Sequence, residues 1–223
     1  MLRRMYMSPF GNLFGNLLRY CFGETFKGAT DLNLEKLLDA IQVQRHDFLN
    51  HLQVISGLLQ MNKVDRVRDY LNQVCMEMVQ FSKTSRVAIP ELTAALIIGI
   101  NDAAMFQIEL VLTINSDLAE CAVPGSVVGE VMELCLGSAF ETVASPEIEQ
   151  RRVEVILGEN EKKYTCRLLF SEPNLTDPSH FESTLTPAGE LLSPYGGRLN
   201  LAVANNGIEI FFTLPRQGVN KIG

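Results

Sequence analysis

The apolar residues between positions 32 and 61 recur at spacings close to those of a heptad, and this pattern constrains the fold more than any other. The members of this stripe are Leu34, Leu38, Ile41, Phe48, Leu52, Ile55 and Leu59. Such a spacing predicts one long amphipathic helix with a single buried stripe. On this helix His51 falls at the edge of the stripe, and His46 falls opposite to it.

A second amphipathic pattern follows after a short break near Asn62, with apolar residues at alternating spacings of four and three. They are Val67, Leu71, Val74, Met78 and Phe81. Two helices joined by so short a connection fold back antiparallel, but a pair of helices cannot enclose a core. Each large apolar side chain gains roughly 1.5–3 kcal/mol on burial. We therefore predict a homodimer whose two hairpins form a four-helix bundle displaying two copies of His46.

After Pro90 the sequence changes to helices that alternate with mostly antiparallel strands. Helices are predicted over residues 91–106 and from Pro124, and residues 171–187 form a predicted polar loop. The predicted strands cover residues 108–114, 153–157, 164–170, 199–203 and 208–214. This order predicts an α+β protein in which a two-layer α/β sandwich follows the helical hairpin. The predicted division is an extension over 1–30, the hairpin over 31–88 and the sandwich over 89–223.

The extension over residues 1–30 is apolar, aromatic and mildly basic. Pro9, Gly11 and Gly15 interrupt its apolar run, and no small-residue cleavage site follows, so a secretory signal is not predicted. Contact with a membrane surface, binding to a partner and packing against the protein's own helices are all left open.

Charge and cysteine content exclude several classes of function. Residues 87–223 carry 18 acidic and 8 basic side chains, which argues against nucleic acid as a ligand. No run approaches the eighteen apolar residues of a membrane span. The five cysteines show no C-x-x-C spacing, and buried free thiols, Cys75 and Cys135 among them, are expected in a reducing cytoplasm. Without a Cys/His cluster, no metal site is predicted.

His46 is surrounded by polar side chains on the exposed side of the first helix. Gln42, Asn50 and Gln53 lie one or two turns from it, and Asp47 follows it directly. An exposed imidazole among amides that can donate hydrogen bonds to phosphate oxygens is a candidate phosphoryl acceptor. A lone histidine on a helix is more often an ordinary solvated residue, so periodicity alone does not identify the function.

Residues 45–61, RHDFLNHLQVISGLLQM, resemble the phosphoacceptor helix of the sporulation initiation phosphotransferase B family. Citrate/dicarboxylate-type sensor histidine kinases carry a similar helix with an Arg-His-(Asp/Glu)-x-x-Asn core. The resemblance implies that His46 carries the phosphoryl group and that Asp47 orients the imidazole. It also implies that Asn50, with Arg45, Gln42 and Gln53, contacts the phosphoryl oxygens or the partner protein.

The order of elements after Pro90 resembles the ATP-binding domain of these kinases, but the nucleotide-binding residues do not match. Ser138 stands where the kinases have an Asn that helps to hold magnesium, and residues 171–177 replace an Asp-x-Gly-x-Gly motif. Residues 186–190 contain one glycine where a glycine-rich lid is expected, and phosphate-cradling loops need several. The comparison implies a degenerate domain that binds no ATP and instead stabilises the dimer or docks a partner.

Our first hypothesis is a cytoplasmic phosphotransferase of a bacterial phosphorelay such as that of sporulation. His46 would accept a phosphoryl group from the aspartyl phosphate of one response-regulator receiver domain and pass it to another. The chain would need no cofactor of its own, because the receiver would supply Mg²⁺ and a lysine. The alternatives are a sensor kinase fragment that uses ATP, and a non-enzymatic dimeric scaffold or inhibitor that binds receivers or kinases.

Overall fold

A helical hairpin opens the part of the chain that the computed structural model describes, which is residues 31–171, 179–204 and 207–217. Helix α1 covers Asp31–Gln60 and α2 covers Val64–Thr84. The turn between them places Asn62 in the left-handed region at φ 60°, which asparagine tolerates better than most residues. The predicted pair of long antiparallel helices is therefore confirmed, whereas the expectations for residues 1–30 lie outside the described residues.

The apolar stripe of α1 is only half buried within one chain. Ile41, Phe48, Leu52 and Ile55 are partly covered. Leu38 and Leu59 remain 50% and 51% exposed. Within the single chain, α2 and the following domain cover only part of this face, so burial of the whole stripe in a dimeric bundle stays a prediction. The side chain of Leu34 is outside the described part.

A five-stranded sheet with helices packed against it forms the rest of the chain. Its elements are α3 Pro90–Met105, β1 Glu109–Ile114, α4 Gly125–Val143, β2 Arg152–Glu159, β3 Lys163–Phe170, α5 Ser179–Leu192, β4 Arg198–Ala204 and β5 Gly207–Pro215. The strand order is β1-β2-β3-β5-β4, with β1 parallel to β2 and all other neighbours antiparallel. Alternate side chains of β1, β2, β3 and β5 are buried, so one face of the sheet carries the core. The predicted α+β architecture is confirmed.

Helix α5 corrects the sequence analysis, which predicted a polar loop over residues 171–187. The helix begins at Ser179 and contains Pro187 in its interior. Its buried residues are Phe181, Leu185, Ala188 and Leu192. Their spacings of four, three and four are helical, but the serines, threonines and proline between them conceal the pattern. Residues 172–178, and the predicted turn at 205–206, lie outside the described part.

The hairpin and the sheet domain are packed against each other. Leu37 and Ala40 of α1 form a buried cluster with Ala94 and Ile97 of α3. Beyond this cluster, Nε2 of Gln44 lies 3.5 Å from Oδ1 of Asn101, at the limit of a hydrogen bond. The first half of α1 therefore lies along α3.

The cysteines divide between surface and core. Cys135 is buried as predicted, and burial raises its pKa to about 12. Cys75, by contrast, is exposed in the single chain, so its predicted burial is wrong there. Neither α1 nor the sheet domain covers this position of α2. Among the described helices, none is both long and apolar enough to cross a membrane.

Candidate functional site

His46 lies near the middle of α1, and its side chain is 75% exposed. Successive residues of an α-helix are separated by about 100° around its axis, so His46 is about 200° from Gln44. Because Gln44 faces Asn101 of α3, His46 points to the opposite side of the helix. The imidazole is therefore directed away from the sheet domain of its own chain and towards solvent.

Two polar side chains of α1 lie close to the same ring nitrogen of His46. Nδ2 of Asn50 is 3.1 Å from Nδ1 of His46, one helical turn away. Oδ1 of Asp47 is 3.7 Å from the same nitrogen, and the Asp47 side chain is 58% exposed. As placed, the Asn50 amide nitrogen can only donate, which fits an unprotonated Nδ1. The Asp47 carboxylate instead favours a proton on Nδ1, and with it the tautomer that leaves Nε2 unprotonated.

The other predicted site residues share the exposed surface of α1 with His46. Gln42 and Gln53 are both exposed, and the helical repeat places them within about 40° of His46 around the axis. Arg45 is also exposed but lies about 100° to one side. Within the described structure none of these three contacts the imidazole. The ring is therefore open to solvent, with Gln42 before it and Gln53 after it along the helix.

His51 serves a different purpose from His46. Its Nδ1 is 2.8 Å from the hydroxyl oxygen of Tyr70 on α2, and the two ring centroids are 5.8 Å apart. The imidazole is half-buried between the helices. This contact joins α1 to α2, in agreement with the structural role that its position in the stripe predicts.

Ser138, which occupies the magnesium-binding position of the kinases in the sequence comparison, is almost completely buried on α4. It borders an open cleft of about 560 Å³ that is lined by α3, α4 and Thr184 of α5, and four of its lining residues are acidic, namely Asp102, Glu130, Glu133 and Glu141. The sequence analysis did not identify these four residues. Its only related signal was the excess of acidic over basic side chains in residues 87–223. Such a lining is electrostatically unfavourable for a polyphosphate.

The segment compared with a glycine-rich lid has another structure. Residues 186–190 lie inside α5, and Ala188 is fully buried there. Helical backbone uses its N–H groups within the helix, so this segment does not offer the free N–H groups of a phosphate-cradling loop.

Comparison with known proteins finds a family model that matches the hairpin, the part of the chain that contains the predicted site residues. Residues 29–87 match the family model described as the alpha-helical domain of SpoOB-type sensor kinases. The helical hairpin is similar to a SpoOB-type alpha-helical domain. This match confirms the resemblance seen in residues 45–61 and relates the hairpin to SpoOB-type sensor kinases.

A curated relative agrees with this assignment. The sensor protein CitS of Halalkalibacterium halodurans is 26% identical over 132 residues, which cover 55% of this chain and 24% of CitS. The chain thus spans about a quarter of the length of that relative.

Several histidine kinase structures resemble the chain at low sequence identity. The catalytic domain of histidine kinase ThkA is 11% identical, with a TM-score of 0.48 over 56% of this chain and 91% of that one. The histidine kinase AdeS of Acinetobacter baumannii is 11% identical, with a TM-score of 0.45 over 77% and 98%. ThkA in complex with the response regulator protein TrrA is 10% identical, with a TM-score of 0.49 over 92% and 67%. Because these TM-scores lie below 0.5, we draw no conclusion from them.

Proposed function

We propose that the chain is a histidine phosphotransferase of a bacterial phosphorelay and that His46 is its phosphoryl acceptor. His46 would take the phosphoryl group from the aspartyl phosphate of one receiver domain and deliver it to the aspartate of a second. The observation that carries this proposal is the exposure of His46. Its side chain is 75% exposed, it lies on a helix that matches the SpoOB-type model, and it is directed away from its own sheet domain. A histidine that must enter the active site of another protein needs this exposure.

In this mechanism the two ring nitrogens have separate tasks. An imidazole attacks through its unprotonated nitrogen, and the proton stays on the other nitrogen. Asp47 would accept a hydrogen bond from Nδ1–H, and so would the amide oxygen of Asn50 after the amide flips, because the positions of an amide's nitrogen and oxygen exchange on a 180° rotation. The lone pair of Nε2 would then form the N–P bond while the bond between phosphorus and the aspartate oxygen breaks. Asp47 would stabilise the positive charge that develops on the ring.

The receiver domain supplies the remaining catalytic groups in this proposal. Phosphoryl transfer proceeds through a loose, highly charged transition state, so positioning and charge neutralisation are the main tasks. The receiver's Mg²⁺ and lysine would neutralise the phosphoryl oxygens. Gln42, Gln53 and Arg45, which share the exposed surface of α1 with His46, would contact these oxygens or the receiver's loops.

The uncovered face of the hairpin supports a homodimer. Its exposed apolar side chains, each between 42% and 55% exposed, are Leu38, Leu49 and Leu59 on α1 and Val64, Leu71 and Val79 on α2. The helical repeat places the three of each helix within about 80° of one another around its axis. So many apolar residues on one surface are unusual for a monomer. We infer that two hairpins pair into a four-helix bundle. Cys75 lies on α2, which carries part of this apolar face.

We also propose that the sheet domain does not use ATP. The acidic lining beside Ser138 and the helical structure of residues 186–190 support this view. The phosphoryl group would therefore come from a receiver domain and not from a nucleotide.

The deciding experiment follows labelled phosphate from a phosphorylated receiver domain to purified protein. Wild type is compared with His46→Ala, with His51→Gln as the matched histidine control, and with an ATP-only reaction. Label on wild type and His51→Gln, but not on His46→Ala and not from ATP, supports the proposal. Label acquired from ATP alone identifies a kinase, and receiver binding without any label identifies a scaffold.

A further inference from the structure

Strand β1 is an edge of the sheet. At its middle, the backbone N–H and C=O of Leu112 point away from β2. The N–H of Glu109 donates to the carbonyl of Arg151, and that of Asn115 donates to the carbonyl of Leu157. Odd-numbered residues of β1 therefore bond towards β2, because the backbone groups alternate along a strand. Leu112 then directs its N–H and its C=O away from β2, where an open edge would invite another strand.

Two side chains of α2 satisfy both of these backbone groups. The N–H of Leu112 donates to Oε1 of Gln80 at 3.0 Å, and Nζ of Lys83 donates to the carbonyl of Leu112 at 2.7 Å. Lys83 also donates to the same Oε1 of Gln80 at 3.2 Å. Together they give Leu112 the donor and the acceptor that a neighbouring strand would provide. We call Gln80, Lys83 and Leu112 the edge clip.

The edge clip is one of several ties between the hairpin and the sheet domain. In the connection after α2, the N–H of Ala88 donates to the carbonyl of Asp117 at 2.8 Å. Val87 and Ile89 of the same connection belong to the main core of the sheet domain. On the other helix, Leu37 and Ala40 pack on Ala94 and Ile97. The sheet domain is thus attached to both helices of the hairpin.

We propose that the edge clip is a latch that fixes the sheet domain against the hairpin, on the side of α1 opposite His46. In this position the domain cannot bring any ligand of its own to His46 of the same chain, and His46 stays open to a partner. The consequence for phosphoryl transfer rests on the proposed function, whereas the latch itself does not. The clip also closes the edge of β1 against pairing with another strand.

The test removes the polar ends of the clip and keeps their aliphatic stems, in the double variant Gln80→Leu/Lys83→Met. Gln60→Leu/Lys63→Met is the matched control, because it changes the same residue types at the same spacing, at two exposed positions near the hairpin turn. Two rates are measured for each protein: hydrogen exchange at the Leu112 amide, and tryptic cleavage after Arg86 in the connection between α2 and α3. Cleavage there needs the connection to leave the core, so it reports on release of the domain.

We expect both rates to rise about tenfold in the clip variant and to stay within about twofold of wild type in the control. Gln80→Glu should keep the wild-type rates, because a carboxylate accepts the same two hydrogen bonds. This third variant still tests the latch if the double variant does not fold. Rates in the clip variant equal to those of the control, or fast exchange of Leu112 in Gln80→Glu, would overturn the latch.

Transfer from a phosphorylated receiver to His46 is measured on the same proteins. We expect transfer at saturating receiver to be unchanged within about twofold in the clip variant, because neither side chain belongs to the His46 surface. If wild type takes no label, the proposed phosphotransferase fails while the exchange and cleavage results still decide the latch.

Discussion

The side-chain amide of Asn50 lies 3.1 Å from Nδ1 of His46, one turn further along α1. Asp47 approaches the same nitrogen, at 3.7 Å. The polar neighbours of the imidazole are thus gathered on Nδ1, which leaves Nε2 as the nitrogen available to a partner. The hydrogen-bonding of Nδ1 therefore determines which tautomer is presented to a partner.

Replacing Asn50 should slow phosphoryl transfer without unfolding the protein. In Asn50→Ala the ring loses one of its two polar neighbours, and we expect the single-turnover rate from a phosphorylated receiver to fall about fivefold, since one hydrogen bond is worth roughly 1 kcal/mol. Rapid-quench measurements on the labelled protein give this rate. The control is Gln60→Ala, an exposed amide on the same helix and outside the site. Equal rates for the two variants would remove Asn50 from the mechanism.

The bond between His51 and Tyr70 should affect stability and not transfer. Tyr70→Phe removes the hydroxyl that lies 2.8 Å from Nδ1 of His51 and keeps the aromatic contact. We expect the free energy of unfolding to decrease by about 0.5–1.5 kcal/mol, because a half-buried imidazole nitrogen loses its partner. Urea unfolding followed by circular dichroism measures this change. A loss of labelling at His46 in a fully folded Tyr70→Phe protein would contradict the division of roles between the two histidines.

The sequence was sufficient to predict the hairpin and the exposure of His46, since both depend on local spacing. The heptad-like stripe of α1 places His46 on the exposed side, and Asn50 follows at the i+4 spacing that brings side chains together on a helix. The strands were predictable for the same reason, because burial alternates along them. In each case the contrast between apolar and polar positions is visible within a few residues.

Other parts of the structure depend on contacts between distant segments. The bonds of Gln80 and Lys83 to Leu112 join residues about thirty positions apart, and neither side chain stands out in its helix. Leu37 and Ala40 pack on α3 beside the stripe that the periodicity defined, so their burial follows from the docking of the sheet domain. Helix α5 was missed because Pro187 is normally a helix breaker.

Burial of the Cys135 thiol should make stability fall at alkaline pH. Its pKa is raised to about 12 in the folded protein from an ordinary value of 9.0. Above pH 9 the unfolded thiol therefore loses its proton while the folded one keeps it, and the free energy of unfolding decreases as pH rises towards 12. A three-unit difference corresponds to at most about 4 kcal/mol over this window.

The comparison that isolates this contribution is Cys135→Ala. Both proteins are unfolded in urea at several pH values between 9 and 11, where lysine and tyrosine titrations affect them alike. We expect a steeper loss of stability in wild type than in the variant. Parallel pH profiles would mean that the Cys135 thiol ionises as readily in the folded protein as in the unfolded chain.

The apolar face of the hairpin gives the last prediction, which concerns the dimer. Leu38 and Leu59 are both about half exposed in the single chain. If two hairpins form a four-helix bundle, a carboxylate at either position would be buried without a partner, which is strongly unfavourable. We expect wild type to sediment with twice the mass of the 24.8 kDa chain, and Leu38→Glu/Leu59→Glu to sediment with the mass of one chain.

The matched control for the dimer is Val203→Glu, which changes another exposed apolar side chain on β4, at the edge of the sheet opposite β1. It should leave the mass of wild type unchanged. A wild-type protein that sediments as a single chain at micromolar concentration would contradict the bundle. A double variant that still dimerises would instead move the interface to another surface. Since each copy of His46 points away from its own sheet domain, a bundle built on this face would present two acceptors to receivers at once.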